Sequence, residues 1–176
     1  AKSDYDLRAS CHNRIATIHA AVDNHKETLY HNKRALYYSS KDGDSSDIMV
    51  HIHNIGRVFT DLDQYDSALY YLRITNKYEL DHTGHPDPYS LSNIGNVFLE
   101  LGEYDSALYY HLKAYKYDVM NDQKYLIGLD QQLIALTYYE MERYPEAKEY
   151  ALCQFDIAYG IRTYHFYLDN YGTLFK

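Results

Sequence analysis

A chain of 176 residues that is 46% apolar, with only three Pro and eight Gly, can build a core and lacks the breakers of β-rich or disordered chains. Its net charge of −8 disfavours a phosphate-backbone ligand, and no run approaches 18 consecutive apolar residues, so neither nucleic-acid binding nor membrane insertion is expected. Twenty-three Tyr against five Phe and no Trp place hydroxyls at ring edges, which suits many half-exposed helix contacts better than one dry centre.

In chain order, residues 10–38 fit the frame of two clearer copies downstream. Ala16 takes the small position of a first helix, Thr28 its counterpart on a second helix, and Ala35 a place late on that second helix. His12 and His19 fall where the frame asks for large apolar side chains. Cys11 and Cys153 form no CxxC pair and read as small buried hydrophobes. The polar stretch 39–46 reads as a loop.

The stretch from Asn54 to Tyr71 returns, mostly identical, from Asn93 to Tyr110, 39 residues later. Ile52, Ile55 and Phe59 fall at i, i+3 and i+7, as do Leu91, Ile94 and Phe98, which predicts a first helix in each copy. A break at Asp63-Gln64 or Gly102-Glu103 precedes a second apolar face, Tyr65, Ala68, Leu69 and Leu72, or Tyr104, Ala107, Leu108 and Leu112. Residues 81–87 read as another loop. From Ile134 to Ala147 a weaker copy runs 40 residues behind the second, with Pro145 where its second helix begins, a place where the missing N–H has no intrahelical partner. Leu168, Tyr171, Gly172 and Phe175 fit the first helix of a fifth copy. Gly56, Gly95 and Ala135 on first helices, and Ala68, Ala107 and Ala147 on second helices, predict close helix crossings.

The pattern Leu-x-x-Ile-Gly-x-x-Phe-x-x-x-Gly-x-Tyr-x-x-Ala-Leu in residues 91–108 resembles the tetratricopeptide repeat. The resemblance implies an all-α, right-handed superhelical solenoid of antiparallel helix pairs with a concave groove. About four repeats are expected, near 9–46, 47–87, 88–122 and 123–162, with a partial fifth over 163–176. The copies here are 39–40 residues against the family's usual 34, and Leu80 and Val119 replace the closing Pro. The five or six extra residues are expected partly in longer helices and partly in longer loops. This long variant is similar to repeats of bacterial signalling proteins, including peptide-pheromone receptors.

In that frame the groove is lined by Asn13, Arg14 and Thr17; by His53, Asn54, Arg57, Thr60 and Asp61; and by Ser92, Asn93, Asn96, Leu99 and Glu100. Gln132, Leu133, Leu136, Tyr139 and Glu140 continue it, and Asp169, Asn170 and Thr173 end it. Asn54, Asn93 and Asn170 share one place in three copies, and a carboxamide offers the donors and acceptor that match a peptide group. Leu133, Leu136 and Tyr139 would receive an apolar side chain. The same Asn residues are equally compatible with a merely solvated face.

Catalytic patterns are missing: the chain has no G-x-S-x-G, no phosphate loop and no H-E-x-x-H, so no enzyme is expected. Asp81, His82, His85 and Asp87 put four potential ligands within seven residues. They read as a polar connection, with His82 and His85 as the metal candidates, and no cofactor is expected. The expectation is a non-catalytic module that binds a protein or extended peptide in the groove, as the sensory or scaffolding part of a larger bacterial signalling protein. The alternative is homo-oligomerisation through array ends or the convex face bearing Tyr70 and Tyr109. The chain starts without Met and reads as part of something longer, soluble in a bacterial cytoplasm or periplasm.

Overall fold

A computed structural model describes residues 3–43 and 45–161, with side chains described at 3–43 and 47–152. The trailing helix expected over 163–176, Asn170 with it, and the side chain of Cys153 lie outside these residues. Among the described residues there are eight helices and no strand: α1 (Asp4–Ala20), α2 (His25–Asp42), α3 (Ser45–Asp61), α4 (Tyr65–Thr83), α5 (Pro88–Glu100), α6 (Tyr104–Met120), α7 (Lys124–Glu140) and α8 (Tyr144–Ile161). The chain divides into two compact units, Ala1–Val97 and Phe98–Lys176.

Local signals start and stop these helices. The Ser3 side chain accepts from the Asp6 N–H at 3.0 Å, Asp4 and Asp6 face the positive end of α1, and Asn24 caps α2. Asp87 accepts from the N–H groups of Tyr89 and Ser90, with Pro88 as the first residue of α5. Pro145 lies in the first turn of α8, as its position in the sequence predicts.

The turn inside each helix pair reuses one device. Asp23, Asp63, Gly102 and Glu142, at equivalent places in the four copies, all have positive φ, from 53° to 73°. In each, the next residue's N–H returns to a carbonyl five residues back: Asn24 to His19, Gln64 to Phe59, Glu103 to Phe98 and Arg143 to Tyr138. This left-handed closure satisfies carbonyls that the helix end would otherwise leave open.

The two expected loops are shorter than the sequence suggests. The second helices run on through 39–42 and 81–83, and stop at Gly43 and Gly84, whose φ values of 85° and 76° end the helix. Most of the extra length of these copies is therefore helix.

In the first unit the core is small and close-packed. Ile55, Leu72, Leu91 and Ile94 are buried, and so are Ala9, Ala16, Ala35 and Ala68. A Cβ on Gly56 would sit 2.9 Å from Leu72 Cγ, so α3 and α4 cross where only hydrogen fits. In the second unit Ala107, Ala114, Ile134, Ala135, Ala147 and Ala151 are buried, with His111 hydrogen-bonded to Thr137 at 3.0 Å. Cys11 corrects its expectation: it is exposed on α1.

Near each turn, a ring from the first helix meets a ring from the second. The pairs are Phe59–Tyr71 at 5.5 Å, Phe98–Tyr110 at 5.4 Å and Tyr138–Tyr150 at 5.7 Å between centroids. In the first copy the pair is His19–His31, at 5.7 Å.

Candidate functional site

Gly56 fixes the rotation of α3: its bare face presses on Leu72, which turns Asn54 and Arg57 away from the crossing. Arg57 is exposed and Asn54 half-buried, and neither has a hydrogen-bond or ion-pair partner among the described residues. Two clefts of the first unit meet at this pair. The larger, of about 590 Å³, is lined by His53, Asn54 and Arg57 of α3, by Thr75, Tyr78, Glu79 and His82 of α4, and by Met49, Val50, Asp87 and Tyr89. The smaller, of about 180 Å³, lies between Asn13, Ala16, Thr17 and Ala20 of α1, Thr28 and Asn32 of α2, and Asn54, Arg57, Val58 and Asp61 of α3.

The clefts differ in chemistry. Tyr78, Tyr89, Met49 and Val50 give the larger one apolar walls around a polar floor. That floor is His53. Its Nδ1 lies 3.3 Å from Ser90 Oγ and 3.9 Å from Asp87 Oδ2, and its Nε2 lies 3.3 Å from Asn93 Nδ2. Burial holds the His53 pKa below the ordinary histidine value, with Arg57 acting the same way and Asp87 opposing both. The smaller cleft carries a buried orphan: Asn32 is 3% exposed, and its Oδ1 has no hydrogen-bond partner among the described residues.

The structure thus brings together Asn13, Thr17, Asn54, Arg57 and Asp61 around the smaller cleft, and His53, Asn54 and Arg57 in the larger. Asn93 is different from Asn54. Its Nδ2 donates to Tyr89 O at 2.8 Å and faces His53, so the two carboxamides do not offer a ligand the same groups. Asn96 is half-buried. In the second unit Gln132 and Leu136 are half-buried, and Tyr139 is 37% exposed with its ring edge-on to Tyr144.

The contributions of α4 to the larger cleft, Thr75, Tyr78 and Glu79, had no sequence signal in a frame that assigned the groove to first helices. Asn32 was detectable, because it stands where the next copy has Leu72.

The candidate ligands His82 and His85 make separate contacts. His82 stacks on Tyr78 at 3.9 Å with its Nδ1 2.8 Å from Tyr78 O, while the His85 N–H donates to Thr83 Oγ1. Asp81 pairs with Lys77 at 2.7 Å, and Asp87 caps α5. The one group of three His, Cys, Asp or Glu residues converging among the described residues is His19, Glu27 and His31. No helix among them is long and apolar enough to cross a membrane.

No family model and no curated protein matches the chain. Solved structures match its fold. The Rap conjugation gene regulator of plasmid pLS20, in complex with the Phr* peptide, superposes with a TM-score of 0.86 at 20% identity, over 99% of this chain and 47% of that one. Aspartyl phosphate phosphatase F from Bacillus subtilis gives 0.83 at 15% identity, over 97% of this chain and 45% of that one. A Podosopora anserina chain of nearly identical TPR-like repeats gives 0.70 at 13%, over 90% and 78%. The chain spans about half the length of the first two. At such identities the likeness is one of fold, and the fold is a tetratricopeptide-like helical repeat.

Proposed function

We propose that the chain is a non-catalytic module whose first unit binds an extended peptide or protein segment along α1 and α3, centred on Asn54 and Arg57. The observation that carries this reading is that the two side chains shared by both clefts are also without partners among the described residues. A free carboxamide beside a free guanidinium suits a backbone amide next to a carboxylate, from an acidic side chain or a chain end. The larger cleft then takes an apolar side chain against Tyr78, Tyr89 and Met49, and the smaller takes the neighbouring stretch of backbone beside Asn13 and Thr17. That one structural neighbour holds a Phr* peptide supports the same class of partner. A sensory or scaffolding part of a larger bacterial signalling protein is the setting we favour.

A second reading has its own observation. Tyr30 and Tyr70 occupy equivalent places on α2 and α4 and are 54% and 63% exposed, a surface on which another copy of the chain could pack.

Peptides selected from a random library on the native chain separate the two readings. The double variant Asn54→Ala/Arg57→Ala should lose about thirty- to two-thousandfold in affinity, from one neutral and one charge-assisted hydrogen bond. Tyr70→Ala should bind as the native chain does. Unchanged binding by the double variant, with loss in Tyr70→Ala, would reject the cleft in favour of the Tyr surface.

A further inference from the structure

The first helix pair departs from the other three where each pair is closed. Its His19 and His31 stand in the places of Phe59 and Tyr71, of Phe98 and Tyr110, and of Tyr138 and Tyr150. Their rings still meet, with centroids 5.7 Å apart and planes inclined by 12°. Glu27, one turn before His31 on α2, stands where the next two copies have Ser67 and Ser106 and the fourth has Glu146. One ring nitrogen of His19, one of His31 and a carboxylate oxygen of Glu27 all lie within 4.8 Å of one another. Neither the His19 nitrogens nor the Glu27 carboxylate has a hydrogen-bond or ion-pair partner among the described residues. His12, in the place of Ile52 and Leu91, sets its Nδ1 2.8 Å from His31 Nδ1, so one of the two carries a proton that the other accepts.

Imidazole is a poor substitute for Phe or Tyr as apolar filling, and the exchange sacrifices burial at a joint that the other pairs close with carbon. Two imidazoles and a carboxylate are, however, a donor set for a borderline divalent transition metal. We propose that the first pair binds one such cation, of the zinc type, through His19, Glu27 and His31. The ion bridges α1 to α2 where the other pairs use contacts between two aromatic rings. Ligand atoms at Zn–N and Zn–O lengths of about 2.0–2.2 Å stand roughly 3.4 Å apart around a tetrahedral ion, so modest side-chain rotations complete the site. Three protein ligands leave the fourth place to water, and Glu27 is exposed, which opens a path from solvent. His12 is a positioning residue: its contact with His31 fixes that ring's orientation, as outer partners of metal-bound histidines do. Asn54 and Arg57 take no part, so this site stands or falls independently of the peptide cleft.

The test uses the 176-residue chain, stripped with a chelator and titrated calorimetrically with Zn²⁺, with Co²⁺ as a spectroscopic probe. The informative variant is His19→Phe/His31→Tyr, which installs the second pair's own residues and should stay folded by circular dichroism. The native chain should show one Zn²⁺ equivalent that this variant lacks, a rise in melting midpoint with Zn²⁺ that the variant does not share, and visible Co²⁺ absorption. Glu27→Gln should weaken Zn²⁺ by about tenfold or more, and His12→Ile by about 10–100-fold at unchanged stoichiometry, with the metal-free melting midpoint of each close to native. A native chain that binds neither ion overturns the site, as does a His19→Phe/His31→Tyr variant that binds Zn²⁺ with native stoichiometry and affinity.

Discussion

Gly56 and His53, three residues apart on α3, show how single side chains decide this fold and its floor. Gly56→Leu must push Leu72, whose Cγ already lies 2.9 Å from where a Cβ would begin, and overpacking of a close crossing costs about 1–3 kcal/mol. Urea denaturation should report about 1–3 kcal/mol of lost stability, and an unchanged midpoint would mean that the helices do not cross there. His53 carries the pH dependence together with His51 and His12. Burial is the largest cause holding each pKa below the ordinary histidine value. Asp87 opposes it and Arg57 reinforces it at His53, Asp47 opposes it at His51, and His31 and Arg34 reinforce it at His12. Unfolded, these rings take up protons near pH 6.5, while the folded chain holds them neutral to lower pH. Their contribution to stability is therefore complete above about pH 6.5 and is lost as pH falls below it. In chelator-treated samples the urea midpoint should be lower at pH 5 than at pH 7. A His53→Gln variant, which keeps polar contacts to Asn93 and Ser90, should show a shallower decline. Equal slopes for the variant and the native chain would remove His53 from the account.

The elements were legible to different depths. Helix order followed from the repeat spacing, and the close crossing of α3 and α4 from Gly56, a small residue at a fixed place in the copy. The ends of α2 and α4 did not. Residues 39–42 and 81–83 are polar and read as loop, yet a polar solvent face continues a helix as readily as an apolar one. Ser40 bonds back to Tyr37 O, and Asp81 pairs with Lys77 four residues before it. The turns inside the pairs yield a prediction at this scale. Asp23, Asp63 and Glu142 hold the left-handed conformation that Gly102 holds at no steric cost. Glu142→Gly should stabilise the chain by up to about 1 kcal/mol, whereas Gly102→Val should destabilise it by about 1–2 kcal/mol. Thermal melts of the two variants check the signs; equal and opposite results in the reverse sense would contradict the turn geometry.

For the molecule as a whole, repeats bury themselves against neighbours, so stability accumulates pair by pair and each pair can carry its own specialisation. The positions of Asn54 and Arg57 could be read from the sequence because the repeat frame fixes which face each helix turns outward. The inward turn of His53 could not, since it depends on Asp87 and Ser90 at the start of the next pair. The cluster of His12, His19, Glu27 and His31 escaped for a related reason. His12 and His19 were visibly out of place in an apolar frame, but their partners on α2 come within reach only when the turn at Asp23 closes.

The central claim is that an extended segment lies along α1 and α3 across both clefts, and amide shift mapping tests it most directly. A library-selected peptide titrated into isotopically labelled chain should move the amides around Asn13, Thr17, Asn54 and Arg57, together with the side-chain amide signals of Asn32 and Asn54. The signals around Tyr30 and Tyr70 should stay in place. Perturbations centred on Tyr30 and Tyr70, with Asn54 and Arg57 unmoved, would contradict the account.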